Sequence, residues 1–138
     1  MAKIIQWTST VVADGKTEMS LSRSVPVEAI GTIEVTIRGS GATGTADTDK
    51  EVQIQPSTTP DQVKFLAIAS DRYGDDSNFL EYKANSAAAS PIRLDNPITL
   101  AGEGAVSALD SALTSLFFTS TMVEDATIQI VVGRDATP

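Results

Sequence analysis

Alternation with a period of two is the feature that most limits what this chain can fold into. In Thr32-Ile33-Glu34-Val35-Thr36-Ile37-Arg38, the apolar Ile33, Val35 and Ile37 point one way and Glu34, Thr36 and Arg38 the other. That is the pattern of a strand with one buried and one wet face. Runs rich in Thr, Val and Ile recur at 4–12, 17–22, 51–55, 62–70, 79–84, 115–121 and 127–132, separated by clusters of Gly, Asp, Asn and Pro. With 32–38 they make about eight antiparallel strands, which predicts an all-β domain, a β-sandwich or jelly-roll-like fold. One stretch departs towards helical spacing: Val106, Leu109 and Leu113 within 104–113 predict a short helix laid over an end of the sheets.

The 138 residues suit a single domain spanning 1–138. A core of that size is stable without disulfide or metal staples. Within the domain, residues 39–49 are too small and polar to pack against a core and predict a flexible loop.

Asp14-Gly15 marks a hairpin between the first two runs, because both residue types tolerate positive φ. A two-residue loop would set Val11 opposite Glu18. A three-residue loop at 14–16 sets Val11 opposite Met19 and Ser9 opposite Leu21, which keeps the apolar set on one face and is the favoured register. At the other end, Met122-Val123-Glu124-Asp125 predicts the loop of a second hairpin, bringing Phe117 near Ile130.

Composition removes most chemistry. Cysteine is absent, which excludes disulfides, thiolate nucleophiles and Cys-ligated metals; histidine is absent too, which takes away the usual base near neutral pH. Ser and Thr are plentiful, but no Ser-x-x-Lys or Gly-x-Ser-x-Gly motif is present to activate one. Glu81, Glu103 and Asp110 offer carboxylates for a glycosidase-like pair, yet one Trp and two Tyr make a poor sugar platform. The chain is expected to be no enzyme and to carry no cofactor. Eighteen acidic against ten basic residues, a net charge of −8, argue against nucleic acid and anionic membrane as partners. The opening Met1-Ala2-Lys3-Ile4-Ile5-Gln6-Trp7 lacks a secretory pattern, so synthesis in the cytoplasm is expected.

Two polar segments invite a ligand reading. Asp71-Arg72-Tyr73-Gly74-Asp75-Asp76-Ser77-Asn78 holds enough oxygens for Ca²⁺, but its spacing does not match an EF-hand loop and a solvated turn accounts for it better. Asp47 and Asp49 are weaker candidates, and no metal site is expected. Gly39, Gly41 and Gly44 lack the Lys-Ser/Thr ending of a phosphate-binding loop.

The surplus is apolar. Leu116-Phe117-Phe118 cannot all face one side of a strand, so either both faces are covered within the domain or one belongs to a partner. Trp7 shares a face with Ile5 and Val11, as a core residue would, and is also of the type enriched at interface hot spots. Leu116, Phe117, Phe118 and Trp7 are therefore the expected contact residues, with the Phe pair at subunit contacts.

Phe65-Leu66-Ala67-Ile68, then Asp71-Arg72-Tyr73-Gly74, Asp95-Asn96-Pro97-Ile98-Thr99-Leu100-Ala101-Gly102, Leu116-Phe117-Phe118-Thr119 and Ile130-Val131-Val132-Gly133-Arg134-Asp135 complete the pattern. Over about half the chain it resembles small virion structural proteins of tailed bacteriophages, of the head decoration or cement type. The resemblance implies a β-rich virion protein, made in the host cytoplasm, with no cofactor. Its partners would be the major capsid protein or other virion subunits, and it would form a homo-oligomer, dimer or trimer. Two other functions are carried alongside: a tail or neck protein of the same virion, and a carbohydrate-binding β-sandwich, against which the aromatic content of 5% argues.

Overall fold

The computed structural model describes residues 3–41, 44–55, 59–60 and 62–135. Ten antiparallel strands and one short helix are present among the described residues. They are β1 (Lys3–Ala13), β2 (Lys16–Val27), β3 (Ala29–Ile37), β4 (Lys50–Gln53), β5 (Val63–Ser70), β6 (Leu80–Ala84), β7 (Ile92–Leu94), β8 (Ile98–Ala101), α1 (Glu103–Ser107), β9 (Ser115–Ser120) and β10 (Ala126–Arg134). All eight expected strands form. Two more, β7 and β8, come from a segment broken by Pro91 and Pro97 in which neither run is long enough to show alternation clearly.

The strands sort into two four-stranded sheets, ordered β3-β10-β5-β8 and β4-β9-β6-β7, and a separate two-stranded ribbon, β1-β2. From β3 onward the chain changes sheet at almost every connection; only β6 and β7 are sequential neighbours within one sheet. This is the strand order of an eight-stranded jelly roll, whose two sheets stack face to face.

Alternation explains what lies between the sheets. On one side Ile37, Leu66, Ile68, Ile128, Ile130 and Val132 turn inward, and on the other Val52, Leu80, Tyr82, Leu94, Leu116 and Phe118, all buried in one core. The rings of Tyr82 and Phe118 lie 6.2 Å apart, centre to centre, within the range of favourable aromatic pairs. Burial raises the Tyr82 phenol above its ordinary pKa, because the phenolate would lose its hydration.

The expected helix starts one residue early and stops at Ser107. Val106 and Leu113 nonetheless reach the core, and Leu109 packs against it. Asn85, in the left-handed region at φ 65°, ties the segment after α1 down. Its Nδ2 donates to the Ala112 carbonyl at 2.9 Å, and its Oδ1 accepts the backbone N–H of Thr114 at 2.7 Å.

The predicted C-terminal hairpin is not one. β9 and β10 belong to different sheets, so the 121–125 connection is an arch from one layer to the other. Met122 and Ala126, both buried, wedge into the core at its two feet. Phe117 accordingly pairs with Glu51 and Lys83, and Ile130 with Ile33 and Ile68.

Residues of the 39–49 loop hydrogen-bond to this arch. The N–H groups of Ser40 and Gly41 donate to the Met122 and Val123 carbonyls at 3.0 and 2.9 Å, and Gly39 N–H donates to the Asp125 carboxylate at 2.9 Å. A Cβ on Gly39 would collide with the carbonyl oxygens of Val123 and Glu124, so only glycine fits there.

Candidate functional site

The element outside the jelly roll is the ribbon, and its sequence shows how it is built. Asp14 and Gly15 both take positive φ, 51° and 78°, as a two-residue turn matched to the strand twist requires. Ala13 faces Lys16 and Val12 faces Thr17, the register of the short loop. Between Val11 and Val12 the register then shifts, and from there Val11 faces Met19 and Ser9 faces Leu21. The turn is thus the two-residue one and the register is that of the longer loop; a bulge that gives β2 an extra residue reconciles them.

Below the bulge the ribbon is two-faced. Ile5, Trp7, Ser9 and Val11 of β1 line up with Val25, Arg23, Leu21 and Met19 of β2, while Gln6, Thr8 and Thr10 line up with Ser24, Ser22 and Ser20. On the second face the Thr8 and Ser22 hydroxyls hydrogen-bond at 3.2 Å. The first face is the apolar one.

That apolar face meets the jelly roll only at its root. Val27 and Phe65 are buried there, outside the inter-sheet core. A Cβ on Gly133 would lie 2.5 Å from Ile5 Cδ1 and 3.0 Å from Val27 Cγ1, so the missing side chain of β10 is what lets the ribbon sit down. The N–H of Glu28 donates to the Arg134 carbonyl at 3.0 Å and holds the junction with β3.

Further along, the ribbon leaves a cleft of about 620 Å³ between itself and the end of β8, lined by Trp7, Leu21, Val25, Pro26, Ala101 and Gly102. Arg23, Lys64 and Glu103 also border it. Lys64 is held by Asp135 at 3.0 Å, and the hydrogen bond to that carboxylate, outweighing partial desolvation, raises the lysine's pKa. Arg23 makes no ion pair among the described residues. The indole Nε1 of Trp7 is shielded from solvent and has no hydrogen-bond partner among the described residues, an arrangement that costs free energy.

Beyond the cleft nothing covers the ribbon. Every residue from Thr10 to Ser20 is exposed, with Val11 at 47%, Val12 at 58% and Met19 at 54%. Among the described residues no third strand joins β1 or β2, so each has an open edge. Pro26, which has no N–H to give to a ladder, is tolerated in β2 for that reason.

The sequence-predicted contact residues fall on both sides of this division. Leu116 and Phe118 are fully enclosed by their own chain, at 0% exposure, and are corrected from contact residues to core. Alternation sends them inward and Phe117 outward, where it is half-buried between Glu51 and Lys83. Trp7 lies on the ribbon, half-buried, at the cleft wall. Sequence reasoning missed Leu21, Val25, Ala101 and Gly102. Leu21 and Val25 carry the same apolar alternation as Trp7, one strand over, but Ala101 and Gly102 join them only through the fold.

The polar candidates spend their oxygens internally. Asp75 Oδ1 accepts the N–H groups of Ser77 and Asn78 at 2.9 and 2.8 Å, which lowers its pKa, and Asp71 Oδ1 accepts that of Thr127 at 2.9 Å. Asp76 pairs with Arg93 at 3.2 Å. Asp47 bonds both the backbone N–H and the guanidinium of Arg38, with Lys50 nearby. Burial pushes its carboxyl up, but these donors prevail and hold it below the ordinary range. Asp49 pairs with Lys83 at 3.0 Å. Glu81 lies on β6, in a different sheet from the β8 strand that leads to Glu103, and Asp110 Oδ1 accepts the Ala112 N–H at 2.8 Å.

Comparison with protein-family models, with curated proteins and with solved structures gives no match for this chain. The ribbon and its cleft therefore carry the functional reading on their own geometry.

Proposed function

We propose that this protein is a non-enzymatic structural subunit of a virion, a capsid decoration or cement protein that holds its neighbours through the β1-β2 ribbon. The observation that carries this reading is the ribbon's apolar face, which continues past its own domain to an uncovered tip. Two strands alone are marginally stable in water, and an exposed strand edge beside exposed Val and Met is what a neighbouring subunit would cover.

Two further points support the reading. The jelly roll is an architecture of viral shells, though also of lectins. The segments quoted above resemble phage decoration proteins. Many copies on a lattice gain by avidity, so each subunit needs only a modest interface. Within this reading the neighbours are the major capsid protein or other virion subunits together with further copies of the chain.

The test is a ribbon shortened by removing residues 10–13 and 16–20, so that Asp14-Gly15 closes Ser9 onto Leu21. Light scattering across a concentration series is expected to show a dimer or trimer for the full chain and a monomer for the shortened one, with the same body stability. A full chain that stays monomeric, or one whose melting point rises with sugar and whose mass ignores the deletion, overturns the reading.

A further inference from the structure

The ribbon presents an uncovered tip and, nearer its root, a cleft walled by Trp7 and bordered by an arginine that makes no ion pair among the described residues. We infer that each is the partner of the other across two copies of this chain: the Val11–Met19 tip of one protomer docks in the Trp7 cleft of its partner, and reciprocally. This deepens the assembly reading above and rests on it.

Two features of the surface favour a second copy as the occupant. The first is charge. The tip carries Asp14, Lys16 and Glu18, two acids and one base, and the cleft border carries Arg23 and Glu103, its Lys64 being already paired with Asp135. Opposed, Arg23, unpaired among the described residues, gains a carboxylate from the acidic tip.

The second is geometry. From Trp7, at the cleft, to Ala13, at the turn, the ribbon runs about 20 Å at roughly 3.4 Å per residue. Two ribbons side by side in opposite directions, related by a two-fold axis, put each tip at the other's cleft with the same contacts made twice. That arrangement covers both apolar faces along their length.

Because the chain has no cysteine and one tryptophan, both reporters are clean. Met19→Cys and Ala101→Cys are made in separate chains, mixed and oxidised, so that only an intermolecular bond can form between them. The expected result is a disulfide heterodimer, dominant over either homodimer. On dilution of the unmodified protein from dimer to monomer, Trp7 emission is expected to shift to longer wavelength as the cleft fills with water. A dimer that cross-links only Met19→Cys to itself, or whose dissociation leaves Trp7 emission unchanged, overturns the docking inference and leaves the assembly reading standing. A chain monomeric at every concentration overturns both.

Discussion

The ribbon and the jelly roll are written in the same pattern and end in opposite situations. Ile33, Val35 and Ile37 on β3 alternate with polar residues and pack against the inter-sheet core. Ile5, Trp7 and Val11 on β1 alternate in the same way, yet exposure along the strand rises until Val11 stands half in solvent. The difference lies in what the topology brings opposite. A jelly-roll strand has a second sheet above it, whereas the outer ribbon has a body beneath its root and none beneath its tip. Period-two alternation states that a face is to be covered, and it leaves open by which chain.

Changes to each region should therefore read out differently, and the largest effect falls in the body. Phe118→Ala removes a ring at 0% exposure and is expected to cost about 3–5 kcal/mol in urea unfolding, with the mass of the folded oligomer unchanged. A loss below about 0.5 kcal/mol would mean that Phe118 behaves as a surface residue and would erase the contrast.

Gly133→Ala acts at the joint. Its Cβ would meet Ile5 and Val27, an overpacking expected to cost about 1–3 kcal/mol. Hydrogen exchange should show the loss first in residues 3–27, with β5 and β10 still protected. Loss of protection spread evenly over both regions would make ribbon and body one cooperative unit.

A smaller effect is expected from acid. Asp47 has a folded-state pKa below its unfolded value, so the stability it contributes is present above the ordinary carboxylate range near pH 4 and is lost as pH falls through the lowered value. Unfolding free energy measured from pH 5 downward should fall less steeply in Asp47→Asn than in the unmodified chain. An equal slope would remove Asp47 from the account. Val11→Ser with Met19→Ser should change body stability least, within about 0.5 kcal/mol as for exposed positions, while raising the dissociation constant of the oligomer. The reverse, a stable oligomer with a weakened body, would put the tip in the core.

Several particulars of the fold were readable before any coordinates, and several were not. The Val11–Met19 register followed from keeping apolar residues on one face, although the means, a two-residue turn plus a bulge, did not. The second hairpin failed for a physical reason. A short stretch such as 122–125 reverses the chain equally well whether the strands beside it pair in one sheet or stack in two, because turn chemistry is local and sheet membership is not. β7 and β8 are hidden by brevity: three or four residues just after a proline carry too little alternation to register.

The candidate site divides in the same way. Leu116-Phe117-Phe118 is a surplus that calls for cover on both faces, by its own domain or by a partner, and two sheet faces inside one chain absorb most of it. Trp7 was singled out correctly as lying on an apolar face, but the cleft it lines needs Ala101 and Gly102, nearly a hundred residues away, and no spacing rule connects them.

The sequence by itself determined an all-β chain, the alternation of its faces, the Asp14-Gly15 turn, and the absence of histidine and cysteine, since each of these is set by neighbouring residues or by simple count. Only the tertiary structure decided that eight strands close into a jelly roll while two stand outside it, and that Phe118 is enclosed while Val11 is not. Which surface meets which depends on contacts between segments far apart in the chain, and burial is a property of that arrangement rather than of any residue alone.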